Sequence, residues 1–359
     1  MNTKKILCVI ESLNSGGAER QLTNLAVLLK KNGHDVEVGI FLKSDFYLTK
    51  LLDHGIKCVL LTDKKKKFNK IISLMKYIIR SKPNTVITYL DPPSMSACLA
   101  KFIYPKFKLI VSERNTTVKI GIKEIIKFNL YRFADYVVPN SFTQKCFIDS
   151  NFHFLRKKNV VISNCIDTEV FIPQDINAEK KETFTIIVVA RVMPQKNTLG
   201  FIEAVKMVLE KGCCINVKWF GYQKDLEYFE KCLNLLRKYS LEDYFTFYPP
   251  TNNIREELVQ SDALCLPSFY EGYPNVICEA MSCELPIICS DISDNSTIVS
   301  DGINGFLFNP NNIDTISEAI LKLYNLDYLK RKNIGKINRD KVIKNNSMDN
   351  FVKKYIDLI

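Results

Sequence analysis

The chain reads as an α/β protein built from two doubly wound, Rossmann-like parallel sheets facing across a cleft. Three observations predict this: strand and helix signals alternate in two successive rounds, a charged connector separates the rounds, and turns rich in Gly or Pro follow several strands. At 359 residues, with 47% hydrophobic and 25% charged content, the chain is long enough for two globular domains and carries no disorder signature.

The first round opens with the apolar run Ile6 to Ile10, too short for a helix and bounded by turn residues, as a buried parallel strand requires. A helix from Ala18 to Lys31 follows, closed by Gly33. Strands are expected at Val36 to Leu42, Val59 to Leu61, Val86 to Tyr89, Leu109 to Val111 and Tyr136 to Val138, most of them separated by helical patterns. Phe171-Ile172-Pro173-Gln174-Asp175 and the charged stretch Ala178 to Glu182 break the pattern. The second round runs through Phe184 to Ala190, Val217 to Phe220, Phe245 to Phe247, Ala263 to Leu266 and Pro286 to Cys289, then finishes in helical segments from Asp314 onward. The expected division is 1–172, 173–340 and a terminal helix within 341–359. In sheets of this kind ligands bind beyond the strand carboxyl ends.

Composition narrows the function classes. The longest apolar runs, such as Ile186 to Ala190, are too short to cross a bilayer, and Met1 to Lys5 leads directly into a strand; a cytoplasmic protein is expected. Twelve Cys without a Cys-x-x-Cys pair, and only three His, point to buried reduced thiols and to neither a zinc site nor a disulfide framework. No metal and no cofactor is expected. The net charge of +11 is uneven: residues 1–170 hold 28 Lys+Arg against 14 Asp+Glu, and the remainder 22 against 25. Lys64 to Lys67, Lys101 to Lys108 and Arg156 to Lys158, with Phe102, Tyr104 and Phe107 nearby, suit an anionic membrane surface. A solvated basic face fits the same composition, and no nucleic-acid recognition motif accompanies the charge.

The most informative stretch is Glu271-Gly272-Tyr273-Pro274-Asn275-Val276-Ile277-Cys278-Glu279. It places two carboxylates eight positions apart, after the strand Ala263 to Leu266 that Pro267 and Ser268 stop. With Asn275 as helix cap, the first backbone N–H groups point at the loop and form an anion site for a diphosphate. Acids beside such a site are tolerable when they accept hydrogen bonds from hydroxyls, which ribose and a sugar ring supply; the combination suggests a nucleotide sugar. A Glu early in a helix also complements the dipole without any ligand.

Arg191 and Lys196 follow the first strand of the second domain. A guanidinium fork and an ammonium at a sheet's functional edge suit a diphosphate leaving group, whose charge grows as the glycosidic bond breaks. A surface pair near a helix start is the simpler alternative. No Asp-x-Asp occurs, which weakens a metal-bridged diphosphate. The turn Ser15-Gly16-Gly17 lacks both the Gly-x-Gly-x-x-Gly and the Walker patterns, which lowers dehydrogenase and nucleotidase readings; it is either a short phosphate-contacting loop or a tight strand-to-helix turn.

Together with Val161 to Asp167 and Asp301 to Leu307, these motifs resemble, in order and spacing, the retaining glycosyltransferases of the GT-B fold that build bacterial envelope polysaccharides and lipid-linked oligosaccharides. The resemblance covers nearly the whole chain. It implies that Arg191 and Lys196 hold the donor diphosphate, Glu279 the ribose and Glu271 the donor sugar hydroxyls. Backbone groups from Gly272 through Tyr273, Pro274, Asn275 and Val276 would assist, with Gly17 close to the diphosphate. It further implies that the last helix returns to the first domain. Many members carry a sugar-binding His after a late strand of the first domain. This chain reads Ser112-Glu113-Arg114-Asn115 there, so Glu113 and Arg114 become candidates for sugar or acceptor contacts, an ion pair at the strand end being the alternative.

The expected activity is metal-independent transfer of a hexose or N-acetylhexosamine, with retention, from a nucleoside diphosphate sugar, uridine-linked, to a lipid-linked or polysaccharide acceptor in capsule, exopolysaccharide or related glycan assembly. Peripheral attachment to the inner face of the cell membrane goes with it. A catalytically silent, membrane-associated nucleotide-sugar-binding module is the competing expectation.

Overall fold

The computed structural model describes residues 2–62, 66–117, 119–174 and 183–359. Lys64 and Lys65 of the basic run and the connector Ala178 to Glu182 lie outside the described residues. The chain forms two compact units, Met1–Cys165 with Met348–Ile359, and Ile166–Ser347.

In the first unit the strands are β1 (Lys5–Ile10), β2 (Asp35–Ile40), β3 (Lys57–Leu60), β4 (Thr85–Tyr89), β5 (Lys108–Glu113) and β6 (Tyr136–Pro139). The helices between and after them are α1 (Gly17–Lys31), α2 (Leu48–Asp53), α3 (Lys67–Ser81), α4 (Asp91–Ile103), α5 (Ile122–Leu130) and α6 (Phe142–Asn151). All pairings are parallel, in the order β3-β2-β1-β4-β5-β6. Burial on both sheet faces explains why β1, β4 and β5 read as near-continuous apolar runs: Ile6, Cys8 and Ile10 pack on one face and Leu7 and Val9 on the other.

The second unit repeats the plan. Its strands are β7 (Phe184–Val189), β8 (Ile215–Phe220), β9 (Phe245–Tyr248), β10 (Ala263–Leu266), β11 (Ile287–Ser290) and β12 (Gly305–Phe308), in the order β12-β11-β10-β7-β8-β9. Its helices are α7 (Thr198–Glu210), α8 (Leu226–Tyr239), α9 (Ile254–Val259), α10 (Asn275–Ser282), α11 (Asn295–Ile298), α12 (Ile313–Tyr324) and α13 (Tyr328–Asn346). In each sheet the strand order reverses between the first strand and the fourth, at β1/β4 and β7/β10, and crevices at such switch points receive ligands.

The final helix, α14 (Met348–Ile356), packs on α1 in the first unit, where Phe351, Val352 and Tyr355 join the core of β1, β2 and α1. The division between units falls at 165/166 and 347/348 rather than at 172/173 and 340/341. Ile166 donates its N–H to the Asn346 carbonyl, Phe171 lies in the second unit's core, and α13 continues unbroken to Asn346. Local composition marked the connector, but these pairings decide where each core begins.

Candidate functional site

The second unit concentrates polar chemistry at its switch point. Loops leave β7 and β10 side by side, and two hydrogen bonds join them: the Phe269 N–H donates to the Gln195 carbonyl at 2.9 Å, and the side-chain Nε2 of Gln195 donates to the Tyr270 carbonyl at 2.8 Å. The β7 loop is fixed from beneath. Trp219 Nε1 donates to the Ala190 carbonyl at 2.8 Å, and Gly221 passes so close that a Cβ there would lie 1.9 Å from the same oxygen. A tight turn at Pro194–Lys196 then ends at Asn197, held in the left-handed region (φ 53°) with its Nδ2 bonded to the Pro310 carbonyl. This geometry delivers Lys196 to the β10 loop.

There Lys196 Nζ pairs with Glu271 Oε1, which also accepts the Ser268 hydroxyl at 2.6 Å. Each side chain of the ion pair is only 13% exposed, and Ser268 is buried. Ser293 Oγ holds the Glu271 backbone carbonyl at 2.7 Å. Arg191 stands exposed at the end of the β7 loop's first step.

Helix α10 begins one residue earlier than a cap at Asn275 requires: Pro274 occupies the cap position without a side-chain bond, and Asn275 is the first helical residue. The reason lies in Tyr273. Its hydroxyl accepts Asn346 Nδ2 at 2.6 Å and the Cys278 thiol at 3.6 Å, so the phenol anchors the loop inside the unit and Pro274 sets the turn. Burial pushes the Tyr273 phenol well above its ordinary range and the Cys278 thiol to about 12. Glu279 sits one turn along α10 from Asn275, buried. Backbone N–H groups at the start of α10 therefore remain directed toward the loop that carries Glu271 and Gly272.

In the first unit, Gly17 is the exposed first residue of α1, just beyond β1. Glu113 and Arg114 do not pair with each other. Glu113 is buried at the end of β5, 2.9 Å from Lys127 of α5, and Lys127 also approaches Asp91 at 3.5 Å. Burial raises the Glu113 carboxyl above its ordinary range, with Lys127 opposing that shift. Arg114 turns the other way: Nη1 donates to Asn164 Oδ1 and Nη2 to the hydroxyls of Tyr89 and Tyr355, each at 2.7 Å, with the guanidinium 4.3 Å from the Tyr89 ring centroid. Arg114 thus fastens α14 to the sheet. At the neighbouring switch point Leu90 adopts φ 72° and ψ 160°, a conformation favoured by glycine, immediately before Asp91 opens α4.

Ser268, Ser293 and Gln195 are site residues that sequence reasoning did not single out. Only the Pro267-Ser268 step at the strand end hinted at one of them. Among the described residues no cluster of three or more His, Cys, Asp or Glu is arranged to hold a metal ion, and no helix is long and apolar enough to cross a membrane. All twelve thiols are free, and Cys146 and Cys214 depart from the expectation of burial: they are exposed, one on α6 and the other in the step directly before β8. Phe107, expected on the basic surface, is buried.

Two Rossmann-like units, each built on a six-stranded parallel sheet, are the architecture of the GT-B fold. Residues 172–341 match the family Glycosyl transferases group 1, and residues 15–170 match Glycosyltransferase Family 4. The chain thus carries two glycosyltransferase domains in succession, one of each family. It is 26% identical over 320 residues, covering 84% of each chain, to a Campylobacter jejuni GalNAc-alpha-(1->4)-GalNAc-alpha-(1->3)-diNAcBac-PP-undecaprenol alpha-1,4-N-acetyl-D-galactosaminyltransferase. It is 33% identical over 177 residues to an Escherichia coli UDP-Gal:alpha-D-GlcNAc-diphosphoundecaprenol alpha-1,3-galactosyltransferase, spanning 45% of this chain and 44% of that protein. A glycosyltransferase crystal structure from Rickettsia africae superposes with a TM-score of 0.87 at 20% identity, over 100% of this chain and 98% of that one.

Proposed function

We propose that the protein transfers a hexose or N-acetylhexosamine from a uridine diphosphate sugar to a lipid-linked or polysaccharide acceptor in cell-envelope glycan synthesis, with retention and without a metal. The observation that carries this reading is the Lys196–Glu271–Ser268 constellation at the β7/β10 switch point. The names of two relatives support the finer terms: one uses UDP-Gal, and both act on acceptors joined through a diphosphate to undecaprenol.

A carboxylate beside a diphosphate is repelled unless a cation lies between them. Lys196 supplies that cation. Its ammonium has three donors, so the pair to Glu271 leaves others for phosphate oxygens. Arg191 and the first amides of α10, from Asn275 and Val276 with Gly272, Tyr273 and Pro274 shaping the approach, complete the diphosphate cradle. Ser268 and Lys196 hold the Glu271 carboxylate in one orientation, so that it accepts a sugar hydroxyl without first being ordered. Glu279 takes the ribose. As the glycosidic bond lengthens, negative charge grows on the diphosphate oxygen and these fixed cations stabilise it more than in the ground state. The same oxygen accepts the proton of the incoming hydroxyl as the new bond forms on the face that the leaving group vacates. The undecaprenol-linked acceptors of the relatives favour peripheral attachment at the cytoplasmic face of the membrane.

A panel of nucleotide sugars assayed with undecaprenyl-diphosphate-linked acceptors tests this reading. The expected result is turnover with a uridine diphosphate sugar and an axial product linkage when the donor is axial. Donor binding without turnover on any acceptor would replace the enzyme by a silent binding module, and inverted stereochemistry would overturn the mechanism.

A further inference from the structure

We infer that the outer face of α5 is the surface by which the first unit lies on an anionic lipid bilayer. This inference rests on the proposal that the acceptor is membrane-borne. Helix α5 has two opposed faces. Lys127 and Phe128 point inward and are buried, whereas Ile122, Ile125 and Ile126, spaced three and four apart on one side, are 79%, 47% and 49% exposed. Ile120 just ahead of the helix is 44% exposed. Exposing three β-branched apolar side chains on one helix face is unusual for a surface that meets only water.

The charges beside them have one sign. Lys119 and Lys123 are exposed, and Lys123 keeps its side chain 68% accessible while it reaches Asp91 at 3.0 Å. Glu124, the acid on this helix, folds back to accept the Gly121 N–H at 3.1 Å and so satisfies the helix start. Asp91 fixes the start of α4 against α5, and Phe102 at the far end of α4 meets Phe133 beyond α5 with ring centroids 4.9 Å apart. The helix pair therefore ends in a second exposed apolar group, Phe102 and Ile103, with Lys106 exposed nearby.

The composition selects the occupant. Branched aliphatic groups rimmed by lysine suit acyl chains beneath anionic headgroups. Protein interfaces instead favour Tyr, Trp and Arg at their centre and are depleted in Lys.

The test uses the full chain with an Ile122→Trp reporter; the natural Trp219 is fully buried and serves as an unchanging background. With vesicles of phosphatidylcholine containing phosphatidylglycerol, the reporter should shift to the blue and be quenched by lipids brominated on their acyl chains. Pure phosphatidylcholine should bind more weakly, by about fivefold for each lysine that faces the anionic surface. Replacing Ile122, Ile125 and Ile126 together by Ser should lower vesicle partitioning at least about tenfold. The same variant should leave uridine diphosphate binding unchanged in calorimetry, so loss of lipid binding and loss of the donor site are read separately. An unshifted reporter, undiminished sedimentation of the Ser variant with vesicles, or no vesicle binding by the wild type would each overturn the inference. A concentration-dependent dimer in light scattering that the Ser variant abolishes would assign this face to a second copy of the chain instead.

Discussion

Replacing Lys196 by Met separates what this residue does for the fold from what it does for the donor. The change removes the ion pair to Glu271 and leaves the carboxylate with the Ser268 hydroxyl at 2.6 Å. Both side chains are 13% exposed, between a surface pair worth at most about 1 kcal/mol and a fully buried pair whose breakage costs about 3–5 kcal/mol, so a loss of about 1–3 kcal/mol is expected. A domain with about 5–15 kcal/mol of stability survives that. Turnover should fall by about 10²–10³, the effect of removing one charge-stabilising donor. Combining Lys196→Met with Glu271→Gln removes both charges, so the double variant should recover much of the lost stability in urea unfolding while turnover stays low. Turnover of the single variant near the wild-type value, or turnover that returns together with stability, would refute the assignment of Lys196 to the diphosphate.

The other expectations follow from single contacts. Gly221→Ala places a Cβ 1.9 Å from the Ala190 carbonyl, so the β7 loop must move; stability should fall by about 1–3 kcal/mol, with weaker donor affinity in calorimetry because Arg191 shifts with its neighbour. Tyr355→Phe removes a hydroxyl that accepts from Arg114 at 2.7 Å, which should cost about 1–3 kcal/mol in chemical denaturation and speed hydrogen exchange in α14. Asp149 is pulled below its ordinary value by Lys145 and Asn159, against an opposing effect of burial, so its stabilising contribution is present above the ordinary Asp range and is lost as pH falls through the depressed value. Denaturation of wild type and Asp149→Asn should accordingly differ near neutrality and converge in acid.

Elements with a strong local signal were legible in the sequence. Phe184 to Val189 could be read as a strand because an apolar run bounded by polar residues suits a strand buried on both faces. β12 carries no such signal: Gly305–Phe308 is four residues long and begins with Gly, and its register comes from pairing with Ile287 to Ser290. The same contrast holds in the site. Lys196 and Glu271 stood out as charges beyond strand ends, but the Ser268 contact depends on how the β10 loop turns, and the cap at α10 depends on Tyr273 reaching Asn346, 73 positions away. Arg114 illustrates the limit most clearly. Its partner Tyr355 lies 241 positions along the chain, so no local pattern could show that this guanidinium is turned into the core. The Glu113–Lys127 pair similarly joins the end of β5 to α5 through tertiary packing, which no local pattern shows.

A crystal structure of the protein with a uridine diphosphate sugar tests the central claim most directly. The account predicts diphosphate oxygens within hydrogen-bonding distance of Lys196, Arg191 and the first amides of α10, with a sugar hydroxyl on Glu271. Diphosphate bound elsewhere, with the Lys196–Glu271–Ser268 constellation unchanged and unengaged, would contradict it.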